Sequence, residues 1–399
     1  MKRLLFTLLC VPLMLCAFAL TASAKHEYVT NLSGNNVGGQ NYGTWASPIC
    51  SYLSADTSGN LMTVTCDSAA IEVSYYTPEY GMYKTVSVPR ELPIFGGFYE
   101  TESNYYILSG QTNYDEDPSV EVYRVTKYDK NWQRIGSVGL YNCNTTVPFD
   151  AGSARFAHVG NTLVVRTSHE MYQSSDGLNH QANITFSVNT SNMSIVCSWH
   201  SVANVGWGGY VSHSFNQFIK YDGQRLVAVD HGDAHPRSVC LVQYGSSAFL
   251  TNNIAVNAVY TLLGIPGASG DNYTGVSVGG FEVSPSTYIV VGNSRLNASN
   301  TRGERNIYVA TASRDSGATK LTYLTDYSAA DTTASTPHLV KISDNKFMVL
   351  WTANNEVCYT ILDGKGEMIT SVKTISGRTV HFLPAVCFRI ILSASAMDF

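Results

Sequence analysis

The stretch YVSHSFNQFIKYDGQRLVAVDHGDAHPRSVCLVQY, residues 210–244, decides how the rest of the chain is read. Asp222-Gly223 stands between two alternating apolar runs, residues 215–220 and 225–229, and Asp-Gly in that setting is the strongest short-range signal for a β-hairpin. A third run follows, so three antiparallel strands are expected in close succession. The polar knot AspHisGlyAspAlaHisProArg, residues 230–237, is expected in the loop before the third strand, where a scaffold presents side chains rather than burying them.

Moving outward from this stretch, the same order recurs: a start rich in small residues, an apolar run, a turn and a β-rich run. Copies fall at 47–76, 96–125, 151–188, 279–310 and 336–362, with the opening stretch as the fourth of six. Second strands begin at Leu61, Tyr105, Leu163, Leu226, Tyr288 and Phe347, a period of 44–63 residues. Weaker outer-strand candidates follow the third strands, as at 132–137 and 368–372. Four strands per copy predict an all-β fold, a β-propeller of six complete repeats, with residues 381–399 as an atypical tail that resembles the start of a truncated seventh. A pair of two-sheet sandwiches is the alternative architecture.

The first residues bound the rest. Lys2 and Arg3, an apolar run to Leu20 and Ala22-Ser23-Ala24 read as a secretory signal spanning 1–24. A short segment, 25–45, then leads into the propeller at 46–380. Removing the signal moves the formal net charge from -5 to -7, which argues against nucleic acid as a partner. No later run is long enough for a membrane span, so a secreted, extracellular monomer is expected. Seven cysteines remain at wide, irregular spacings, and Cys66, Cys240 and Cys358 read as small apolar residues on strands.

The stretches GlyGlyPheTyr (96–99), SerHisGluMetTyr (168–172), AspGlyLeuAsnHisGlnAlaAsn (176–183), TyrValSerHisSerPheAsnGln (210–217) and AspHisGlyAspAlaHisProArgSer (230–238) resemble those of a group of secreted bacterial β-propeller-like repeat proteins of unassigned function. The resemblance spans roughly residues 45–365 and implies export and repeats. It carries no activity and no catalytic residue to transfer.

In a propeller, inner-strand starts and second-to-third loops converge on one mouth of the central channel. The unusual polar residues map there. His213, His231 and Asp230, with His169 and Tyr172 from the neighbouring copy, are candidates for proton transfer, since imidazole titrates near neutral pH and a carboxylate fixes its tautomer. The same groups would suit a divalent cation, although His231-x-x-x-His235 has metal-ligand spacing only on a helix, which Gly232 and Pro236 oppose. His169-Glu170 lacks the second histidine of a zincin motif. Asp115-Glu116-Asp117 reads as a solvated turn or a calcium loop. Arg155, Arg166, Arg237 and Arg295, with His180, Gln181, Asp233, His235 and the aromatic Trp351, are candidates for binding a carboxylated or sulfated sugar through bidentate pairing and stacking. Two function classes follow: an enzyme that processes an acidic extracellular glycan, or a non-catalytic propeller that binds a glycan or a surface protein by the same rim.

Overall fold

The computed structural model describes residues 49, 51–66, 70–150, 152, 154–203, 217–271, 274–295, 304–327, 332, 334–354 and 356–375. Residues 1–24, expected to be a secretory signal, the 25–45 segment, the 381–399 tail and His213 lie outside them.

The Asp222-Gly223 turn forms as the sequence requires. Asp222 Oδ1 accepts the backbone N–H of Gln224 and of Arg225 at 2.8 and 2.9 Å, and Gly223 takes a φ of +97°. The turn fixes the register Phe218↔Val229 to Tyr221↔Leu226. Blade 4 continues through Ser238–Tyr244 to an outer strand, Val256–Gly264. Its second strand, Leu226–Gly232, and its third are buried at every position, while the outer strand alternates between solvent and cover. That gradient explains the sequence pattern: continuous apolar runs in the middle of each blade and strict alternation at its edge.

All six repeats build the same unit. Blade 1 comprises Ser51–Ala55, Leu61–Cys66, Ile71–Tyr76 and Met82–Val88. Blade 2 comprises Ile94–Glu100, Asn104–Gly110, Tyr123–Asp129 and Arg134–Leu140. Blade 3 comprises Arg155–Val159, Thr162–Gln173, Asn179–Asn189 and Ser194–Trp199, and the short strand Val147–Pro148 pairs beside His169. Blade 5 comprises Val276–Val283, Thr287–Ser294, Asn306–Ser313 and Thr319–Tyr323, and blade 6 His338–Ser343, Lys346–Ala353, Glu356–Asp363 and Lys373–Ile375. The protein is a six-bladed β-propeller in which every blade is a four-stranded antiparallel meander. Among the described residues there is no helix, and so none long and apolar enough to cross a membrane.

Five hydrophobic clusters fill the seams between successive blades, from Val64 against Phe98 in the first seam to Val291 against Trp351 in the fifth. Each fully buried side chain of this size contributes about 1.5–3 kcal/mol. Two glycine pairs let the blades approach. Gly96-Gly97 and Gly279-Gly280 sit at β-bulges on inner strands, where a Cβ on Gly96 would lie 2.1 Å from the Phe149 ring and one on Gly279 only 1.8 Å from the Pro337 carbonyl oxygen.

Three boundaries differ from the sequence reading. Asp230, His231 and Gly232 remain on the second strand of blade 4, so the loop is shorter than the polar knot suggested. The third strand of blade 2 is Tyr123–Asp129, because Val120 is drawn into a turn by its N–H bond to the Asp117 carbonyl. In blade 6 the 368–372 segment makes one bridge, Leu362↔Met368, and the outer strand is Lys373–Ile375; Thr370 Oγ1 accepts the Ile361 N–H and interrupts the ladder.

Candidate functional site

Strand alternation places the candidate residues. Val164 of blade 3 packs toward blade 4, so Arg166, two positions on, faces the same way. Ala228 of blade 4 packs toward blade 3, and Asp230 follows it. The two meet in the seam: Arg166 Nε and Nη2 donate to the two carboxylate oxygens of Asp230 at 3.1 and 2.6 Å. Arg166 Nη1 donates to Thr185 Oγ1 at 2.6 Å and Tyr244 Oη at 3.0 Å, and Asn183 Nδ2 donates to Asp230 Oδ1 at 2.7 Å. Both charged side chains are essentially without solvent exposure, at 1% and 0%. Burial works against the guanidinium charge, but the Asp230 carboxylate outweighs it and holds the arginine above its ordinary pKa. The expected anion ligand Arg166 and the expected proton-transfer partner Asp230 therefore neutralise each other inside the fold.

His231 has the opposite orientation to Asp230, because neighbours on a strand point to opposite faces. It faces blade 5 with Val227 and Val229, and its Nε2 lies 3.0 Å from Thr274 Oγ1. Asp230 thus does not orient His231, contrary to the sequence-based expectation. His169 faces the other seam, toward blade 2. The Thr145 hydroxyl gives its proton to the Cys143 carbonyl at 2.9 Å, so His169 Nδ1, 2.7 Å away, is the donor to Thr145, and Nε2 is left as a buried atom without a hydrogen-bond partner. Burial, helped by nearby His200, pushes the His169 imidazole down to about 3, where it is neutral at any physiological pH.

Arg237 is committed to the carbonyl of Asp233 in its own loop and to the loop that follows the outer strand of blade 4. Its Nε donates to the Pro266 carbonyl at 3.0 Å, and its Nη1 to the carbonyls of Asp233 (2.9 Å) and Asp271. Asp233 is buried, and His235 is exposed on the same loop. Arg155 opens the inner strand of blade 3, donates to the Gln217 carbonyl at 3.2 Å and lies 4.2 Å over the Phe218 ring. His338 opens the inner strand of blade 6, and burial together with the Arg155 charge pushes it down to about 4. Arg295 lies against Gly275, where a Cβ would come within 2.8 Å of the guanidinium. Trp351 is not a stacking platform: it is 1% exposed within the seam of blades 5 and 6, and its Nε1 donates to Tyr327 Oη at 3.0 Å.

Besides His235, a group of candidate residues reaches solvent over blades 2 and 3. The hairpin joining the second and third strands of blade 3 leans on the 113–117 loop of blade 2: Asn113 Nδ2 donates to Tyr172 Oη at 2.8 Å, and the Gln173 N–H to Glu116 Oε1 at 2.7 Å. Burial raises the Tyr172 pKa, so its hydroxyl stays protonated. His180 Nε2 is 2.7 Å from Asp176 Oδ2 at the hairpin tip, and Gln181 is buried with its Oε1 unpartnered. Tyr114, in the 113–117 loop, and Tyr141, just after the outer strand of blade 2, are 72% and 50% exposed. Sequence reasoning passed over both, although each follows a strand end at which its blade can only place it in a loop. Among the described residues no group of three His, Cys, Asp or Glu stands together in metal-holding geometry.

No family model matches the chain, and no curated protein matches it. Among solved structures it is similar to the Neurospora crassa Pan2 WD40 domain, at 9% identity over 79% of this chain and 75% of that one, with a TM-score of 0.46. It is also similar to a variant of the Synechocystis apocarotenoid oxygenase, at 9% identity over 84% of this chain and 63% of that one, with a TM-score of 0.38. The chain thus spans less than two thirds of the oxygenase, and identities this low say nothing about activity.

Proposed function

We propose that the protein is an exported, non-catalytic propeller that binds a neutral glycan across the mouth formed by blades 2 and 3. The observation that carries this reading is a contrast on that face: Tyr114 and Tyr141 are open to solvent in loops that also carry Asp115, Glu116, Asp117 and Asn142, while Arg166 is bound into the fold by Asp230 and Arg237 by loop carbonyls. Tyrosine faces suit the apolar faces of sugar rings, and Glu116, Asp117 and Asn142 nearby suit their hydroxyls. An acidic glycan would need free guanidinium groups and would meet a chain of net charge -7 after signal removal. Proton transfer would need paired groups poised near neutrality. His169 is instead held neutral, Tyr172 protonated, and Asp230 and His231 face different seams.

An array of neutral, uronic and sulfated glycans tests the reading. Neutral glycans are expected to bind in preference to anionic ones, and the Tyr114→Ala/Tyr141→Ala double variant to lose at least about tenfold in affinity, the scale of one aromatic stacking contact. Preference for sulfated or uronic glycans, or unchanged binding by the double variant, overturns it.

A further inference from the structure

On the face of the disc opposite that mouth, where first-to-second and third-to-fourth turns lie, blades 1 and 2 part to leave a cleft of about 410 Å³. This falls in the range of about 300–1,000 Å³ occupied by small-molecule sites. Its walls are Tyr75, Tyr83 and Tyr105, its rim Glu100, Glu102 and Lys130, with Asp56 and Asn60 at one end. The walls are rigid. Trp132 stacks on Tyr105 with centroids 4.4 Å apart at 19° and donates its Nε1–H to Tyr75 Oη at 2.7 Å. Tyr83 tilts against Tyr75 at 6.1 Å and is 56% exposed. Burial raises the pKa of both Tyr75 and Tyr105, so their hydroxyls remain protonated.

The cleft already handles one ammonium group. Lys130 Nζ sits 4.0 Å from the centroid of the Tyr105 ring and 2.7 Å from Glu100 Oε1, and Ser54 Oγ donates to the other Glu100 oxygen at 2.5 Å. Asp56 is spent on its own turn, accepting the N–H groups of Ser58 and Asn60. Glu102 differs: it is exposed, lines the same cleft and has no ion-pair partner among the described residues. Lys84 Nζ lies 5.0 Å over the Tyr75 ring and Lys130 lies over Tyr105, so Tyr83 is the wall ring left open, and Glu102 is a second carboxylate lining the cleft without an ion-pair partner among the described residues.

We propose that this cleft is a binding site for an amino sugar, its ring laid on Tyr83 and its ammonium paired with Glu102. The site is independent of the mouth over blades 2 and 3, and neither assignment needs the other. The ring faces supply contact area, Asn60 and Thr57 meet the sugar hydroxyls, and the uncompensated carboxylate selects the charged amine.

Calorimetric titration of the full-length protein with a glucosamine disaccharide and with its N-acetylated counterpart separates the contributions, because the two probes differ mainly in the ammonium charge. The glucosamine disaccharide is expected to bind and the acetylated one to bind at least tenfold more weakly. Glu102→Gln should bring the first down to the level of the second, and Tyr83→Ala should weaken both, with melting temperatures unchanged in either variant. Equal affinity for the two disaccharides, no binding of either, or indifference to Glu102→Gln overturns the proposal; so does binding of a lysine oligopeptide in place of the sugar. The Tyr114→Ala/Tyr141→Ala variant must behave as the parent in this titration, which keeps the two sites distinguishable.

Discussion

The seam between blades 3 and 4 and the cleft between blades 1 and 2 are made from the same materials, charged side chains set among tyrosines where two blades meet, and they end in opposite states. In the seam, Arg166 and Asp230 are fully desolvated and satisfied by Thr185, Tyr244 and Asn183, so the charges complete one another and nothing is left for a ligand. In the cleft, Tyr83 is open and Glu102 has no ion-pair partner among the described residues. The difference lies in position along the strand. Arg166 and Asp230 stand on second strands, where both faces are covered by neighbouring blades, whereas the cleft is lined by strand ends, turns and the outer strand Met82–Val88. Charge in the middle of these blades is structural, and of the cleft's turn residues Glu102 is the one left without an ion-pair partner among the described residues.

That comparison can be broken at its strongest point first. Asp230→Ala leaves the Arg166 guanidinium buried without its counter-ion, and a loss of about 3–5 kcal/mol in denaturant unfolding is expected; a loss below about 1 kcal/mol would mean that the arginine reaches water. Close approach of blades supplies the next effect. Gly279→Ala drives a methyl into the Pro337 carbonyl and should cost about 1–3 kcal/mol, read from the same denaturant midpoint. The seam between blades 2 and 3 adds a pH test. His169 has a folded-state pKa pushed down to about 3 against an ordinary value near about 6.5, so the unfolded chain takes up a proton that the fold refuses. Stability is then full above about pH 6.5 and falls by about 1.4 kcal/mol per pH unit as the pH drops toward about 3. His169→Gln should be less acid-sensitive than the parent over that window, and parallel pH profiles would remove His169 from the account. The smallest effect belongs to the cleft: Tyr83→Ala and Glu102→Gln should each change stability by less than about 0.5 kcal/mol, because neither side chain is part of a seam.

Much of the architecture was legible. The second strands begin within one residue of the expected Leu61, Tyr105, Leu163, Leu226, Tyr288 and Phe347, because covered middle strands write uninterrupted apolar runs and Asp-Gly or Gly-rich turns punctuate them. The site was less legible for a reason visible at Asp230-His231. Their adjacency suggested a single cluster, but the strand runs three residues further than the polar knot implied, and a period of two sends one side chain to blade 3 and the next to blade 5. Arginines and a tryptophan at a mouth look alike in sequence whether they face water or a seam. Arg166 finds Asp230 64 positions away and Trp351 finds Tyr327 24 positions away, and no local pattern announces either contact. The cleft was missed because its tyrosines sit at strand ends on the other face of the disc, away from the mouth toward which the histidines drew attention.

A double-mutant cycle in denaturant unfolding across Arg166 and Asp230 tests most directly whether the prominent rim charges belong to the fold. Arg166→Met and Asp230→Leu are each expected to cost about 3–5 kcal/mol, while the double variant, with no buried charge left, should cost less than either single change. Small, additive losses of under about 1 kcal/mol each would contradict this and return both residues to solvent and to a ligand.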